Sequence, residues 1–343
     1  MYVWVMRHTT FGNTGLRTSE AFLGAMGFGE DWGWGVPPDE CRKIFNAYAE
    51  AGGNVIDTAN RYTDGASERI VGELLGADRE RFVLATKYTL TMDGTDPNAS
   101  GSHRKNLRRS VEDSLRRLGT DYIDLLWVHI WDAHTPIEET MRALDDVIRS
   151  GKVLYIGLSD APAWAAARAN TMAELRGWTP FAGLQLNYSL LERGIERELL
   201  PMADALNLSV AAWAPLARGV LTGKFTRDGA TEGSRMKRDN LSERDLRIAA
   251  EVDAVADDLG VPSSRVALAW TRARHRWIHP IIGARTVDQL TDSVAALDLD
   301  LPAGAVRRLD EASSFQLGFP QDFIAMAREF VYGPAVERFE PRA

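Results

Sequence analysis

The sequence has a single cysteine, Cys41, so no disulfide can form within the chain of 343 residues. That scarcity is typical of proteins from a reducing compartment. The first twenty residues contain no long apolar run, and the stretch from Tyr2 to Met6 is too short for a signal peptide or a membrane-spanning helix. We therefore expect a cytoplasmic protein without a membrane partner.

Positive charge is also scarce, because 40 lysines and arginines stand against 48 aspartates and glutamates and give a formal net charge of −8. A protein that binds nucleic acid or an acidic membrane surface usually carries a basic face, so the composition disfavours both partners. Only six of the basic residues are lysines, at positions 43, 87, 105, 152, 224 and 237. A lysine is therefore less expected by composition than an arginine, which makes Lys87 and Lys224 noteworthy.

No linker and no low-complexity tract divides the chain, and its hydrophobic content of 45% is enough for a large core. We predict one domain over residues 1–343. Short apolar runs alternate with amphipathic stretches that are typical of helices. The runs that predict strands are residues 22–26, 54–58, 82–87, 123–129, 153–159, 183–187, 210–214 and 278–283.

Eight strand–helix units predict a closed (β/α)8 or TIM barrel. The rival, an open doubly wound sheet, usually carries G-x-G-x-x-G after its first strand, and GAMGFG at residues 24–29 does not fit that motif. Residues 9–19 predict a β-hairpin that plugs the lower end of the barrel. Two segments exceed ordinary connections, residues 226–244 and the tail after Leu301, so we predict extra loops or helices after the seventh and eighth strands.

Polar residues at the carboxyl ends of strands line the active site in such a barrel. The second predicted strand ends near Asp57, with Tyr62 five residues later, the third ends in Lys87, and the fourth ends in His129. Each side chain alone has an ordinary structural explanation, such as a cap, a packing tyrosine or a surface lysine. All four on one rim predict a chemical centre.

These four groups suit the reduction of a carbonyl, which needs a hydride on carbon and a proton on oxygen. Tyrosine is a weak acid, and a nearby Lys87 ammonium stabilises its phenolate and lowers its pKa. Asp57 would hold Lys87 charged and in place. His129 would hydrogen-bond the carbonyl oxygen or help to move the proton, so Tyr62 is the predicted general acid.

Three segments resemble the aldo-keto reductase superfamily: GNVIDTANRY at residues 53–62, Thr86-Lys87, and LGTDYIDLLWVH at residues 118–129. The resemblance runs from about Thr9 to Ala296. It implies a (β/α)8 barrel and a catalytic tetrad of Asp57, Tyr62, Lys87 and His129. The family also implies NADPH or NADP⁺ as the cofactor, bound without a Rossmann motif.

The cofactor positions follow from the same resemblance. Ser159, Asp160 and Gln185 fall where the nicotinamide carboxamide is held, and Trp213 falls where an aromatic ring stacks on the nicotinamide. The remaining residues match the nicotinamide end (Met26, Asp57), the pyrophosphate loop (Pro215, Leu216, Arg218, Gly219, Leu221, Gly223, Lys224) and the adenosine end (Gly283, Arg285, Gln289, Asp292, Ser293).

Departures from the family pattern stand at three places. Asp160 and Ser293 replace an asparagine found in many relatives, and Ala217-Arg218 replaces small and glycine residues of the pyrophosphate loop. Arg218 is placed to reach a phosphate or an anionic substrate. Arg285 suits a 2′-phosphate and so favours NADPH over NADH.

Two aromatic residues are predicted to bind substrate, Trp32 in the segment DWGWG at residues 31–35 and Trp131 just past His129. A packed loop is the alternative for the first. Residues 226–244 fit a belt over the cofactor or a surface loop equally, and the helix after Phe319-Pro320 fits a cover for the mouth or an interface. The other five histidines form no metal-spaced cluster, so we expect no metal.

Three functions remain compatible with the sequence. The first is an NADPH-dependent reductase of an aldehyde or ketone, such as a keto-sugar or a secondary-metabolite carbonyl. The second is an NAD(P)-dependent alcohol or sugar dehydrogenase working in reverse. The third is a cofactor-binding regulatory subunit resembling potassium-channel β subunits, against which the lack of a basic docking segment counts. A homo-oligomer is compatible with all three.

Overall fold

A computed structural model describes residues 6–227 and 236–333, apart from Arg274 and Arg276. An antiparallel hairpin of β1 (His8–Thr10) and β2 (Arg17–Ser19) precedes a closed barrel in which each strand pairs in parallel with the next and the last pairs with the first. The barrel strands are β3 (Phe22–Gly24), β4 (Val55–Asp57), β5 (Val83–Tyr88), β6 (Ile123–Val128), β7 (Val153–Ser159), β8 (Gly183–Asn187), β9 (Ser209–Trp213) and β10 (Ile278–Ile282).

Helices follow the barrel strands, and most of them cover the outer face of the barrel. They are α1 (Pro38–Glu50), α2 (Ala66–Leu75), α3 (Arg104–Leu118), α4 (Ile137–Arg149), α5 (Ala163–Arg176), α6 (Leu199–Ala205), α7 (Glu243–Leu259), α8 (Ser263–Ala273), α9 (Val287–Ala295), α10 (Ala303–Ala312), α11 (Gln321–Met326) and α12 (Arg328–Tyr332). None of the helices in the described ranges has both the length and the apolar character needed to cross a membrane.

The hairpin closes the amino-terminal end of the barrel through the buried side chain of Phe11. Its ring meets Trp127 edge-on at a centroid distance of 6.2 Å and lies 6.1 Å from Phe22. Gly157 and Gly183 make the room, since a Cβ on either would lie 2.3 Å from the Trp127 ring or 2.4 Å from the Phe11 ring. The predicted plug and the predicted (β/α)8 barrel are both confirmed.

Parallel strands covered on both faces are apolar along their whole length, and β6 illustrates this because all six of its residues are buried. The eight predicted strands all exist, and their ends differ from the observed ones by at most two residues. The seventh ends at Trp213 rather than at 214, because Ala214 takes a left-handed φ of 52° that no strand continues through.

Two helical segments have bounds with identifiable causes. The segment after β8 is a 3-10 turn at Gly194–Glu196 followed by α6, because Pro201 is tolerated only in the first turn of a helix. Helix α7 lies mostly beyond the expected 226–244 loop. It begins with a capping box between Ser242 and Asp245 and ends at Gly260, whose φ is 64°.

The tail also forms helices. Helix α10 packs against α7. The helix predicted after Phe319-Pro320 corresponds to α11 and α12, which bury no side chain. Residues 228–235 of the predicted belt and residues 334–343 of the tail lie outside the described residues.

Candidate active site

The four predicted catalytic residues come together at the carboxyl-terminal rim of the barrel. Asp57 is the last residue of β4, Lys87 the next-to-last of β5, and His129 directly follows β6. Tyr62 stands on the connection from β4 to α2. Because parallel strands end at the same rim, a separation of 72 positions from Asp57 to His129 becomes a local cluster.

A buried ion pair forms the base of this cluster. The Lys87 ammonium donates to Asp57 Oδ2 at 2.5 Å and to the Thr58 carbonyl at 2.8 Å, and Gln185 Nε2 donates to Asp57 Oδ1 at 2.9 Å. Burial acts to lower the pKa of Lys87, but the Asp57 carboxylate opposes it and leaves the pKa above its usual value. Lys87 is therefore a fixed positive charge at neutral pH.

The Tyr62 ring lies directly above this charge. Lys87 Nζ is 4.6 Å from the ring centroid, and the His129 ring meets it edge-on at 5.8 Å and 83°. Burial raises the pKa of Tyr62, and although Lys87 lowers that pKa as predicted, the balance leaves it above the ordinary value. Tyr62 therefore keeps its proton at neutral pH, which a proton donor requires.

His129 is held by its backbone and is neutral. Its N–H donates to the Tyr88 carbonyl at 3.0 Å and to Thr89 Oγ1 at 3.2 Å, which sets the position of the residue. Burial, followed by the Lys87 charge, lowers the pKa of His129 to about 3. Its Nδ1 is buried without a hydrogen-bond partner among the described residues. A neutral imidazole can donate one hydrogen bond but has no extra proton to give.

The predicted nicotinamide positions adjoin the tetrad. Ser159 ends β7, Gln185 lies in β8, and Trp213 ends β9, so all three reach the same rim. Asp160 takes a left-handed φ of 44°, and its Oδ1 accepts the Trp213 indole N–H at 3.1 Å. Burial raises the pKa of Asp160, while the hydrogen bonds from Trp213 and Ser159 act against that rise. Met26, after β3, is 38% exposed at the opening.

The loop after β9 contains three successive residues with a left-handed backbone. Ala217, Arg218 and Gly219 have successive φ values of 48°, 56° and 94°, and a Cβ on Gly219 would lie 2.6 Å from Lys224 Nζ. The bare glycine backbone thus lets an ammonium sit against it, which fits the diphosphate of a dinucleotide. The loop is anchored by three buried residues, Pro215, Leu221 and Gly223, and by half-buried Leu216. Arg218 is exposed.

The predicted adenosine residues divide into two groups. Gly283, Arg285 and Gln289 are exposed near the start of α9, where Gln289 Oε1 accepts the Arg285 backbone N–H at 2.9 Å. Asp292 instead accepts from Arg265 Nε at 2.7 Å and from Ser264 Oγ at 2.5 Å. The buried Ser293 hydroxyl donates to the Gln289 carbonyl at 2.9 Å. Asp292 and Ser293 therefore make hydrogen bonds to residues of α8 and α9.

Trp32 and Trp131, the two aromatic residues predicted to bind substrate, both lie beside residues of this site. Trp32 lies 6.5 Å from the Tyr62 ring at 79° and 5.7 Å from Trp34. Trp131 donates its backbone N–H to the Asp160 carbonyl at 3.3 Å and meets the 58% exposed Trp164 edge-on at 5.5 Å.

A cleft of about 610 Å³ begins at Trp131 and Asp160 and extends toward α6. Its other lining residues are mostly apolar: Ile130, Ala161, Pro162, Leu186, Asn187, Glu192, Gly194, Ile195 and Leu199. This lining and Trp164 were not predicted from the sequence. An apolar residue directly after a strand end, such as Ile130, was the sequence feature that could have predicted this lining.

Comparison with known proteins decides the family. The sequence profile of the Aldo/keto reductase family matches residues 21–314. The chain belongs to this family. This aldo/keto reductase is 38% identical over 324 residues to norsolorinic acid reductase of Aspergillus flavus, a match that covers 91% of the chain and 82% of that protein.

Two further relatives share a different name. This aldo/keto reductase is 36% identical over 320 residues to an aryl-alcohol dehydrogenase of Pestalotiopsis microspora, with 90% of the chain and 82% of the relative covered. It is 35% identical over 333 residues to aryl-alcohol dehydrogenase [NADP(+)] of Phanerodontia chrysosporium, with 89% and 85% covered. The relatives are thus oxidoreductases by name.

Proposed function

We propose that this aldo/keto reductase uses NADPH to reduce the carbonyl group of an uncharged aromatic aldehyde or ketone, with Tyr62 as the general acid. The observation that carries the proposal is the placement of the Tyr62 phenol 4.6 Å above a buried, paired Lys87 ammonium, beside a neutral His129. A protonated donor, a charge to stabilise its conjugate base and a neutral hydrogen-bond donor are what carbonyl reduction requires.

Each residue then has a distinct task. NADPH, when bound, supplies the hydride to the carbonyl carbon. The His129 imidazole donates a hydrogen bond to the carbonyl oxygen, and the Tyr62 O–H delivers its proton to that oxygen as negative charge develops there. The phenolate left behind is stabilised by Lys87, which Asp57 keeps charged and in position. Water restores the proton of Tyr62 after the alcohol leaves.

The residues at the rim fit the parts of the cofactor. Ser159, Asp160 and Gln185 would hold the carboxamide, and Trp213 would stack on the nicotinamide with its indole fixed by Asp160. Gly219 and Lys224 would take the pyrophosphate, and Arg285 the 2′-phosphate. The name of the Phanerodontia chrysosporium relative includes NADP(+), which supports the choice of NADPH over NADH.

The substrate class follows from the opening. Trp32 beside Tyr62 and Trp131 beside Asp160 form two aromatic walls, and the cleft behind Trp131 is lined mainly by apolar side chains. Asp160 and Glu192 place carboxylates in that cleft, which disfavours anionic substrates. The names of the relatives, norsolorinic acid reductase and aryl-alcohol dehydrogenase, agree with an aromatic compound.

The reverse reaction is the second candidate, because relatives are named aryl-alcohol dehydrogenases. The same residues serve it, with the Tyr62 phenolate accepting the proton of the alcohol. Measuring 4-nitrobenzaldehyde reduction with NADPH beside 4-nitrobenzyl alcohol oxidation with NADP⁺ gives the preferred direction at each pH.

The deciding experiment follows NADPH oxidation with 4-nitrobenzaldehyde, an aryl ketone and a keto-sugar, in wild type, Tyr62→Phe and the control Tyr155→Phe. Tyr155 lies half-buried in β7. We expect Tyr62→Phe to lower kcat about 10²–10⁴-fold with NADPH affinity unchanged, and Tyr155→Phe to keep activity. Full activity of Tyr62→Phe would contradict the assigned acid. A wild type that binds NADPH but turns over nothing favours the regulatory-subunit alternative.

A further inference from the structure

The turn that carries Tyr62 continues through three residues with a left-handed backbone. Thr63 has φ 46° and ψ 42°, Asp64 has φ 52° and ψ 37°, and Gly65 has φ 88°. Glycine adopts this region freely, but for a β-branched residue such as threonine it is a genuine outlier. A strained residue directly after the proposed general acid therefore needs surroundings that hold it in place.

The surroundings hold Thr63 through its hydroxyl group. The residue is fully buried, its Oγ1 donates to the Phe28 carbonyl at 2.9 Å, and the same oxygen accepts the Ser67 N–H at 2.9 Å. One bond reaches across to another segment, and the other closes the first turn of α2. The hydroxyl thus fixes the Tyr62 turn from both sides.

The Phe28 end of this contact is the base of the loop that carries Trp32. Gly29 N–H donates to the Val36 carbonyl at 3.0 Å, and Val36 N–H donates to the Gly27 carbonyl at 2.8 Å, which closes residues 29–36 into a loop. A Cβ on Gly29 would lie 3.2 Å from Thr63 Oγ1. The hydroxyl therefore lies against the start of this loop, at Phe28 and Gly29.

We propose that Thr63 is a positioning residue that ties the Tyr62 turn to the Trp32 loop and thereby sets the separation between the proton donor and the aromatic wall. This proposal rests on the proposed function, because the wall and the acid must act on one substrate. With the separation fixed, an aromatic ring packed on Trp32 places its carbonyl oxygen within reach of Tyr62. If the separation between Trp32 and Tyr62 is not fixed, aromatic carbonyl compounds are no longer reduced faster than aliphatic ones.

Three substitutions separate the hydroxyl from the backbone strain. Thr63→Val keeps the shape and removes both hydrogen bonds, Thr63→Ser keeps the hydroxyl, and Thr63→Gly accepts the left-handed backbone but lacks the hydroxyl. The control is Thr271→Val in α8, because Thr271 is equally buried and its Oγ1 donates to the Leu268 carbonyl at 2.7 Å. Thr271 contacts none of the proposed site residues through that bond.

The first readout is the ratio of kcat/KM for 2-naphthaldehyde to kcat/KM for butanal. We expect Thr63→Val and Thr63→Gly to lower this ratio about fivefold or more, with Thr63→Ser and Thr271→Val within about twofold of wild type and NADPH affinity unchanged in all. A purely structural role would lower melting temperature and both rates together. An unchanged ratio in Thr63→Val and Thr63→Gly overturns the proposal.

The second readout does not depend on activity. Hydrogen exchange of the Gly29 and Val36 amides reports the closure of the Trp32 loop, and we expect faster exchange in Thr63→Val and Thr63→Gly but not in Thr271→Val. If wild type reduces no carbonyl, the proposed function fails while this coupling is still tested. Unchanged exchange at both amides overturns the coupling itself.

Discussion

Asp57→Asn separates the charge of this carboxylate from its shape. Asp57 and Lys87 are both buried, and the carboxylate is the only anion that the described hydrogen bonds place on the Lys87 ammonium. Removing one partner of a buried pair leaves an uncompensated charge, which costs about 3–5 kcal/mol of unfolding free energy. We expect a loss of that size near pH 6, measured by urea unfolding with tryptophan fluorescence.

The pH dependence of the loss gives a sharper test. In wild type Asp57 keeps the pKa of Lys87 above its unfolded value of about 10.4, so this stabilisation is complete below that pH and is lost only as the pH rises through the folded pKa. In Asp57→Asn the carboxylate no longer opposes burial, which is the largest influence and depresses the pKa of Lys87. The unfolded state then binds more protons, so the variant gains stability relative to wild type as the pH rises from 6 to 9, by at most about 1.4 kcal/mol per pH unit.

The control is the double variant Asp57→Asn with Lys87→Met, which has no buried charge to compensate. Its stability relative to wild type should show no slope between pH 6 and 9, and its loss should be smaller than the sum of the two single losses. A loss below about 1 kcal/mol for Asp57→Asn, or the same loss at pH 6 and pH 9, would refute the view that Asp57 holds Lys87 charged.

Three further predictions concern the rim. Since burial lowers the pKa of His129 to about 3, kcat/KM with an uncharged aldehyde should show no step near pH 6.5; a step that His129→Gln abolishes would contradict the neutral imidazole. Asp160→Ala frees the Trp213 indole, so tryptophan emission should shift and NADPH affinity fall about tenfold, whereas Asp160→Asn should keep most of both because an amide oxygen still accepts the bond. Arg285→Gln should raise the KM for NADPH about tenfold or more with little effect on NADH, and an equal rise for both cofactors would argue against a 2′-phosphate contact.

The cluster of Asp57, Tyr62, Lys87 and His129 was predictable because its signals are local. Asp57, Lys87 and His129 each end an apolar run, and the barrel topology alone then brings them to one rim. The strands were equally predictable, since a strand buried on both faces is apolar along its length. A glycine marks the end of some helices, as Gly119 does after α3.

The rest depends on contacts that no local pattern encodes. Arg265 and Ser264, on the neighbouring helix α8, donate hydrogen bonds to Asp292 on α9. The left-handed Thr63 was equally hidden, because its conformation is imposed by the Phe28 carbonyl, 35 positions earlier in the chain.

Backbone strain in this molecule is concentrated at the end of the barrel where the proposed chemistry takes place. Eight non-glycine residues in the described ranges have a left-handed φ, and seven of them stand on connections that leave carboxyl ends of strands: Thr63, Asp64, Thr89, Asp160, Ala214, Ala217 and Arg218. Each costs about 1–2 kcal/mol relative to a right-handed backbone.

At the opposite end, only Asn207 among the described non-glycine residues is left-handed, and Phe11, Phe22 and Trp127 pack a closed apolar plug. The two ends therefore differ. The apolar packing of the plug and the helices offsets the cost of the strained residues at the rim, where Thr63 follows Tyr62 and Ala214 follows Trp213. A fold with one end committed to packing can tolerate such residues at the other.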